Sequence, residues 1–167
     1  DKNGAFCINQ VTGPDEYNVL VDNNVYTNMM ARENMLYAMP AVLQLKAYDE
    51  AAYERLCSKL DFSAAELAPW LAACDEMYLP FDENTGLIPQ DDSFFSRKPW
   101  PIPEIPLETF PLLLHYHPLV IYRHMISKQA DLILAMVMLG NYFTLEQKKE
   151  NFYFYDEVTT HDSSLSM

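Results

Sequence analysis

The sequence predicts an all-α protein, and three observations support this class. Half of the 167 residues are hydrophobic and 13% are aromatic, which is typical of an ordered chain with a proper core. Only four glycines stand against nine methionines, a balance that favours helices. Two long stretches, residues 22–48 and 118–139, carry apolar side chains at helical spacing.

The chain opens with turn signals and then a long helical pattern. Asn3-Gly4 is typical of a two-residue hairpin turn, and Phe6-Cys7-Ile8 is a short apolar run that suggests a strand. Asp22 is placed to cap a helix over residues 23–48. Pro40 should kink or divide this helix, because proline lacks the amide donor and clashes with the preceding turn.

Two further helices are predicted before the middle of the chain. The first covers approximately residues 49–60. The second is signalled by Ser63 with Glu66 three residues later, which is the spacing of a capping box. Pro69 lies far enough inside this second helix that we expect a bend there.

Residues 80–118 differ from the rest because they hold eight prolines and no helical period. This composition predicts a long ordered loop, a feature that is often functional. Asp82-Glu83-Asn84-Thr85-Gly86 lacks the alternating ligands of a calcium loop and is interpreted as a turn. His115 and His117 lack a third ligand at a recognisable spacing, so capping or loop hydrogen bonds are favoured for them and no metal site is predicted.

The C-terminal third begins with the clearest helical pattern. Pro118 stands at its first position and Gly140 follows its end, so we expect one helix over residues 118–139. Charged residues interrupt this helix, which excludes a membrane span. Thr144 is placed to cap a short helix ending near Glu150, and residues 151–155 form an aromatic run that suggests a strand or buried coil.

Charge and cysteine content restrict the partners and the compartment. A net charge of −13 and a pI near 4.5 argue against nucleic acid or an anionic membrane as a partner. Three cysteines in no metal spacing, with no glycosylation sequon, suit a reduced cytoplasmic setting. The opening residues show no basic and apolar leader, so no signal peptide is expected.

Gly13-Pro14-Asp15-Glu16-Tyr17 places two adjacent carboxylates in a turn. The proline ring fixes φ, so the backbone that enters Asp15 and Glu16 has little freedom. An acidic pair of this kind is most often a solvated surface turn, and that interpretation remains open from the residues alone.

This turn and three other segments resemble one family. Gly13-Pro14-Asp15-Glu16-Tyr17 with residues 21–28 resembles the catalytic segment of glycoside hydrolase family 65, whose disaccharide phosphorylases act on maltose, trehalose and kojibiose. Lys128-Gln129-Ala130-Asp131 is similar to a helix of that family, and residues 160–166 are similar to its anion-site loop. Blocks in the family order over nearly the whole chain are more specific than one short motif.

The resemblance implies a reaction and a set of site residues. Glu16 would be the general acid of an inverting phosphorolysis of an α-glucosidic disaccharide, which yields a glucose 1-phosphate and a free sugar. Lys128 and Gln129 would orient the glucosyl unit; without the resemblance, Lys128 would be taken for a lysine extending from an apolar face to solvent. No cofactor is implied beyond inorganic phosphate as co-substrate. The implied phosphate-binding residues are His161, Ser163 and Ser164.

Two departures from the family pattern leave alternatives open. Asn18 stands where the family usually has His, which bears on specificity for the acceptor sugar. Asp156-Glu157 replaces what is commonly Glu-Pro, so either carboxylate could act as the base of an inverting hydrolase that uses water. A non-catalytic carbohydrate-binding domain is a third possibility, in which Glu16 would not be needed for binding.

The resemblance also implies the architecture. We expect residues 1–167 to form part of a single catalytic (α/α)6 barrel domain, with four or five of its twelve helices. Only two residues precede the Asn3-Gly4 turn, and the chain ends within the anion-site loop, so a piece of a larger enzyme is expected. In the chain on its own, the apolar inner faces of the barrel helices would have no partner. We therefore expect the isolated chain to form a homo-oligomer with a second copy and to be inactive.

Overall fold

The structure is a computed structural model, and it describes residues 2–164 and 166. Its regular structure is mainly helical, as the sequence predicts. None of the described helices combines the length and apolar character that a membrane crossing requires. The α-helices among these residues are α1 Val25–Tyr48, α2 Glu50–Leu60, α3 Leu67–Asp75, α4 Pro118–Ile121, α5 Asp131–Met138 and α6 Leu145–Val158, and two short parallel strands are β1 Lys98–Pro99 and β2 His124–Met125.

The chain divides into two compact units. One consists of Asp1–Cys7 with Met29–Tyr78, and the other of Ile8–Asn28 with Leu79–Met167. Helix α1 begins in the second unit and continues in the first. All candidate site residues belong to the second unit.

Helix α1 differs from its prediction at its start and at its proline. Asn24, rather than Asp22, caps it, because the Asn24 side chain accepts the Thr27 N–H at 3.0 Å. The Asp22 carboxylate instead accepts the N–H of Gln10 at 2.9 Å. The helix continues through Pro40 without being divided.

The first unit confirms most of its local predictions. Asn3 and Gly4 have φ of 56° and 91°, as a hairpin turn requires, and Lys2 pairs with Ala5 across it. The expected strand at residues 6–8 is reduced to a single bridge between Phe6 and Met77.

Helix α2 lies where it was predicted, and the predicted capping box forms just ahead of α3. Asp49 accepts the N–H of Ala52 at 2.9 Å, and both bonds of the Ser63–Glu66 capping box are formed. A single 3-10 turn follows the box before α3. Pro69 lies in the first turn of α3, where its missing N–H has no intrahelical acceptor to lose.

The proline-rich segment is irregular, as predicted, but it is packed. It forms four single 3-10 turns within residues 94–114 and contributes Ile105 and Leu112 to a buried cluster with Tyr17, Ile121 and Ile126. Residues 82–86 form the predicted turn, in which Asp82 accepts the Asn84 N–H at 3.0 Å. His117 is a helix cap, as favoured above, since its Nδ1 accepts the Leu119 N–H at 3.2 Å.

The single helix predicted over residues 118–139 is wrong. Helix α4 ends at Ile121, strand β2 follows, and α5 begins only at Asp131. Between the two helices, backbone groups form hydrogen bonds with residues far away in the sequence and not within a helix. These bonds are Lys98 N–H to Arg123 O at 3.3 Å, Ser127 N–H to Val158 O at 2.8 Å and Lys128 N–H to the Asp15 carboxylate at 2.9 Å.

Helix α6 is longer than predicted, because it continues past Glu150 to Val158 and includes the aromatic run. Thr144 forms the predicted cap as part of a capping box with Gln147. Tyr155 is fully buried on this helix and stacks on Phe94 with ring centroids 5.5 Å apart. The aromatic run is therefore helix, with Phe152 and Tyr153 exposed and Tyr155 buried.

Candidate active site

The two carboxylates of the Gly13–Tyr17 turn have opposite environments. The Asp15 side chain is fully buried. The Glu16 side chain is 49% exposed and lies 2.8 Å from the Lys128 ammonium. The turn is therefore not a simple solvated surface turn, and Glu16 is the member of the pair that a substrate could reach.

Asp15 holds the turn in place from inside. Its Oδ1 accepts the N–H of Tyr17 at 3.1 Å and the N–H of Lys128 at 2.9 Å. Its Oδ2 accepts the Gln90 amide at 2.8 Å and the Asn18 amide. Burial raises the pKa of Asp15, and the hydrogen bonds from these donors oppose the rise.

Lys128 and Gln129 lie beside the turn, but on a bend just before α5 and not on the helix expected for them. The Lys128 side chain is 17% exposed and makes the ion pair with Glu16. Gln129 Nε2 donates to Pro14 O at 2.7 Å, while its buried Oε1 has no partner among the described residues. Gln129 thus keeps one free acceptor, which could receive a bond from a hydroxyl group.

Asp131 is a site residue that the sequence interpretation missed. It is the first residue of α5, it is 1% exposed, and its Oδ1 accepts the N–H of Asp15 at 2.7 Å. Its Oδ2 accepts the Asn24 amide at 2.7 Å. Burial first and the Asp15 carboxylate second raise the pKa of Asp131 to about 8, against the opposing effect of its two donors.

Gly13 is required by this close packing. A Cβ at position 13 would overlap Asp131 Oδ2 and would lie 2.6 Å from the Asn24 amide nitrogen. The only sequence signal for Asp131 was its place at the end of the Lys128–Asp131 block.

The segment predicted as the anion-site loop is bonded to both other blocks. Thr160 N–H donates to Ser127 O at 2.9 Å, and the Thr160 hydroxyl donates to Asp162 at 2.6 Å. Asp162 also accepts the Tyr17 hydroxyl at 3.3 Å, which connects the loop to the Glu16 turn. These bonds bring the predicted Glu16, Lys128–Gln129 and residue 160–166 blocks together.

The predicted phosphate-binding residues of this loop are exposed or half-buried. His161 is exposed, has φ of 54°, and places its Nε2 3.2 Å from Asp156 Oδ1. Ser163 is half-buried and Ser164 is exposed. Leu165, from the same block, lies outside the described residues.

The possible bases of the hydrolase alternative lie on α6. Asp156 and Glu157 are both exposed near the end of that helix, and Asp156 Oδ1 lies 3.2 Å from His161 Nε2. Their role remains a prediction.

Asn18 is buried, with 1% exposure. Its amide donates to Asp15 and its carbonyl accepts from Arg97. Arg97 in turn binds Asp91 at 2.8 and 2.9 Å. Both polar groups of Asn18 are therefore used inside the protein, and its effect on acceptor specificity stays a prediction.

Taken together, the site has the parts that glycosidic chemistry needs. A half-exposed carboxylate can exchange a proton, an ammonium and a free amide oxygen can bind hydroxyl groups, and a loop rich in hydroxyls can bind an oxyanion. A mainly helical chain with this arrangement agrees with the resemblance to a carbohydrate-active family whose catalytic domains are helical barrels.

Comparison with known proteins specifies the class. The chain belongs to glycosyl hydrolase family 65, because the model of that family's central catalytic domain matches residues 1–167. The chain is 47% identical over 165 residues to an α,α-trehalose phosphorylase of Thermoanaerobacter brockii, covering 99% of this chain and 21% of that protein. It is 33% identical over 159 residues to a kojibiose phosphorylase of Halothermothrix orenii, covering 95% and 20%.

A solved structure agrees with the fold. The structure described as "Putative kojibiose phosphorylase from human microbiome" superposes with a TM-score of 0.84 at 33% identity, covering 97% of this chain and 22% of that one. The family and structural matches confirm the predicted fold class, all-α and part of an (α/α)6 barrel. The chain spans about a fifth of the length of the relatives it matches.

Proposed function

We propose that the protein carrying this chain catalyses inverting phosphorolysis of an α-glucosidic disaccharide, giving a glucose 1-phosphate and a free sugar. The main support is the position of Glu16. Its half-exposed side chain follows the buried Asp15, lies 2.8 Å from Lys128 and is close to a loop rich in hydroxyl groups. The relatives named as trehalose, kojibiose and maltose phosphorylases support this reaction class.

Glu16 is the general acid in this proposal. Its proton goes to the glycosidic oxygen as the bond from that oxygen to the anomeric carbon breaks. The Lys128 ammonium donates to Glu16 Oε2 at 2.8 Å, so Lys128 must move away before the carboxyl group can donate to the glycosidic oxygen. A glucosyl hydroxyl that binds Lys128 on substrate entry supplies this change.

Phosphate is the nucleophile, and its oxygen forms the new bond to the anomeric carbon from the opposite face. The chain carries a net charge of −13, so an anion needs local donors. His161, Ser163 and Ser164 supply them in this proposal, on the loop bonded to the Glu16 turn through Tyr17 and Asp162.

The test uses the full-length enzyme with candidate disaccharides, in phosphate buffer and in phosphate-free buffer. We expect a glucose 1-phosphate to appear only with phosphate, and the free sugar to appear with it. Glucose release at equal rates in both buffers would support the hydrolase instead.

A control variant separates the two nucleophiles further. Glu157→Gln removes a base that only the hydrolase would need, so phosphorolysis should persist in this variant. Its loss, with normal folding, would contradict the assignment of phosphate as nucleophile.

A further inference from the structure

Two segments that carry site residues, 13–17 and 128–131, are joined by side chains that bind backbone amides. We propose that Asp131 is a positioning residue for the Glu16 general acid, acting through a reciprocal pair of bonds with Asp15. This inference rests on the proposed function, because it assigns a role in orienting its acid. We call the pair of bonds the Asp15–Asp131 clasp.

The clasp works in both directions between the segments. The Asp131 carboxylate accepts the N–H of Asp15 at 2.7 Å, and the Asp15 carboxylate accepts the N–H of Lys128 at 2.9 Å. Glu16 directly follows Asp15 in the chain. The backbone under each reactive side chain is therefore held by a carboxylate from the opposite segment.

Both carboxylates are themselves fixed by buried partners. Gln90 bridges them, because its amide donates to Asp15 Oδ2 at 2.8 Å and its carbonyl accepts the Asp131 N–H at 2.9 Å. Asn24 donates to the second oxygen of Asp131 at 2.7 Å. All four side chains are at most 1% exposed, and hydrogen bonds of this kind are strong where water is excluded.

Glu16 needs such support because its own side chain is half exposed. Its ion pair with Lys128 has to open during the proposed reaction, so the pair cannot hold the acid at the moment of proton transfer. The backbone then determines where the carboxyl group points. A displacement of about 1 Å can cost on the order of 100-fold in rate.

The test compares two substrates of the full-length enzyme. A natural disaccharide needs a proton on its leaving oxygen, whereas α-glucosyl fluoride releases fluoride without one. Asp131→Asn keeps the shape, but the amide nitrogen cannot accept a bond from one of the two N–H donors, whereas either oxygen of Asp131 can. We expect kcat/KM for the disaccharide to fall about 10- to 100-fold, and that for the fluoride to fall less than about threefold.

Gly13→Ala provides a second variant, in case Asp131→Asn does not fold. Its Cβ would overlap Asp131 Oδ2 and displace the same carboxylate, so the same selective loss is expected. Asn151→Ala is the matched control. It removes a fully buried amide that binds Ile88 N–H and Gln147 O, both at 2.8 Å, without touching the clasp, and it should leave the ratio of the two rates unchanged.

Glu16→Gln serves as the reference for complete loss of the acid. If the foldable clasp variants slow both substrates equally while Glu16→Gln slows only the disaccharide, the clasp proposal is overturned and the proposed function stands. If Glu16→Gln leaves disaccharide turnover intact, the general acid is misassigned, and the proposed function fails together with the clasp.

Discussion

Asp131 is buried beside a second carboxylate, so the stability of this part of the protein must depend on pH. Its folded-state pKa of about 8 lies above its ordinary value of 3.8. Between these values the folded state retains a proton that the unfolded state has lost. The free energy of unfolding should therefore fall as pH rises from about 4 to 8, by at most about 1.4 kcal/mol per pH unit from this residue.

Urea unfolding of the full-length protein at pH 5, 6, 7 and 8 measures this slope. Asp131→Asn should flatten it, because asparagine does not titrate. Asp82→Asn is the control and should retain the wild-type slope, because hydrogen bonds from Thr85 and Asn84 lower the pKa of the half-buried Asp82 and keep its titration below this range. Identical slopes in wild type and Asp131→Asn would show that Asp131 does not hold the proton.

Some site residues could be predicted from the sequence and others could not. Glu16 and Lys128 could be proposed because short blocks around them resemble a family, and the structure brings the two side chains within 2.8 Å. Asp131 and Gln90 could not be found in this way. Asp131 meets Asp15 across 116 positions in the chain, and such a contact leaves no local pattern.

At the scale of elements, predictions succeeded where the signal was local. The capping box at Ser63 and the cap at Thr144 formed as predicted, because their donors and acceptors lie within three residues. The prediction of one helix over residues 118–139 was wrong. The spacing of apolar residues indicates which side chains are buried, but not which groups the backbone hydrogen-bonds. Residues 122–130 are buried or half-buried at most positions, while the amides of Ser127 and Lys128 bond to Val158 and Asp15.

The capping box of α6 can be tested by stability. Thr144→Ala removes the acceptor for Gln147 N–H, which is 3.1 Å from the hydroxyl, and should destabilise the protein by about 1 kcal/mol. Glu150→Ala, at an exposed position later in the same helix, should change stability by less than about 0.5 kcal/mol. Equal effects of the two variants in urea unfolding would exclude a specific role for the box.

At the scale of the whole molecule, large apolar surfaces lack partners within each compact unit. In the second unit, a pocket of about 320 Å³ between α5 and α6 is lined mainly by apolar residues, and Val137 and Leu145 beside it are 76% and 83% exposed. In the first unit, α2 has no buried residue and Leu43 on α1 is 58% exposed. Surfaces of this kind rarely remain free in a monomer.

We therefore predict that the 167-residue chain, produced alone, associates with further copies and shows no phosphorolysis. Sedimentation velocity at several concentrations measures the association, and the full-length protein provides the comparison for activity. A stable monomer that also turns over disaccharide would contradict both parts of this prediction.

The most direct test of the account is the turnover of the full-length Glu16→Gln variant on its natural disaccharide in phosphate. Glutamine preserves the size of the side chain but has no acidic proton to give to the leaving oxygen, so kcat should fall by about 100- to 10,000-fold. Activity that remains near the wild-type level, in a variant that folds normally, would contradict the assignment of Glu16 as the general acid.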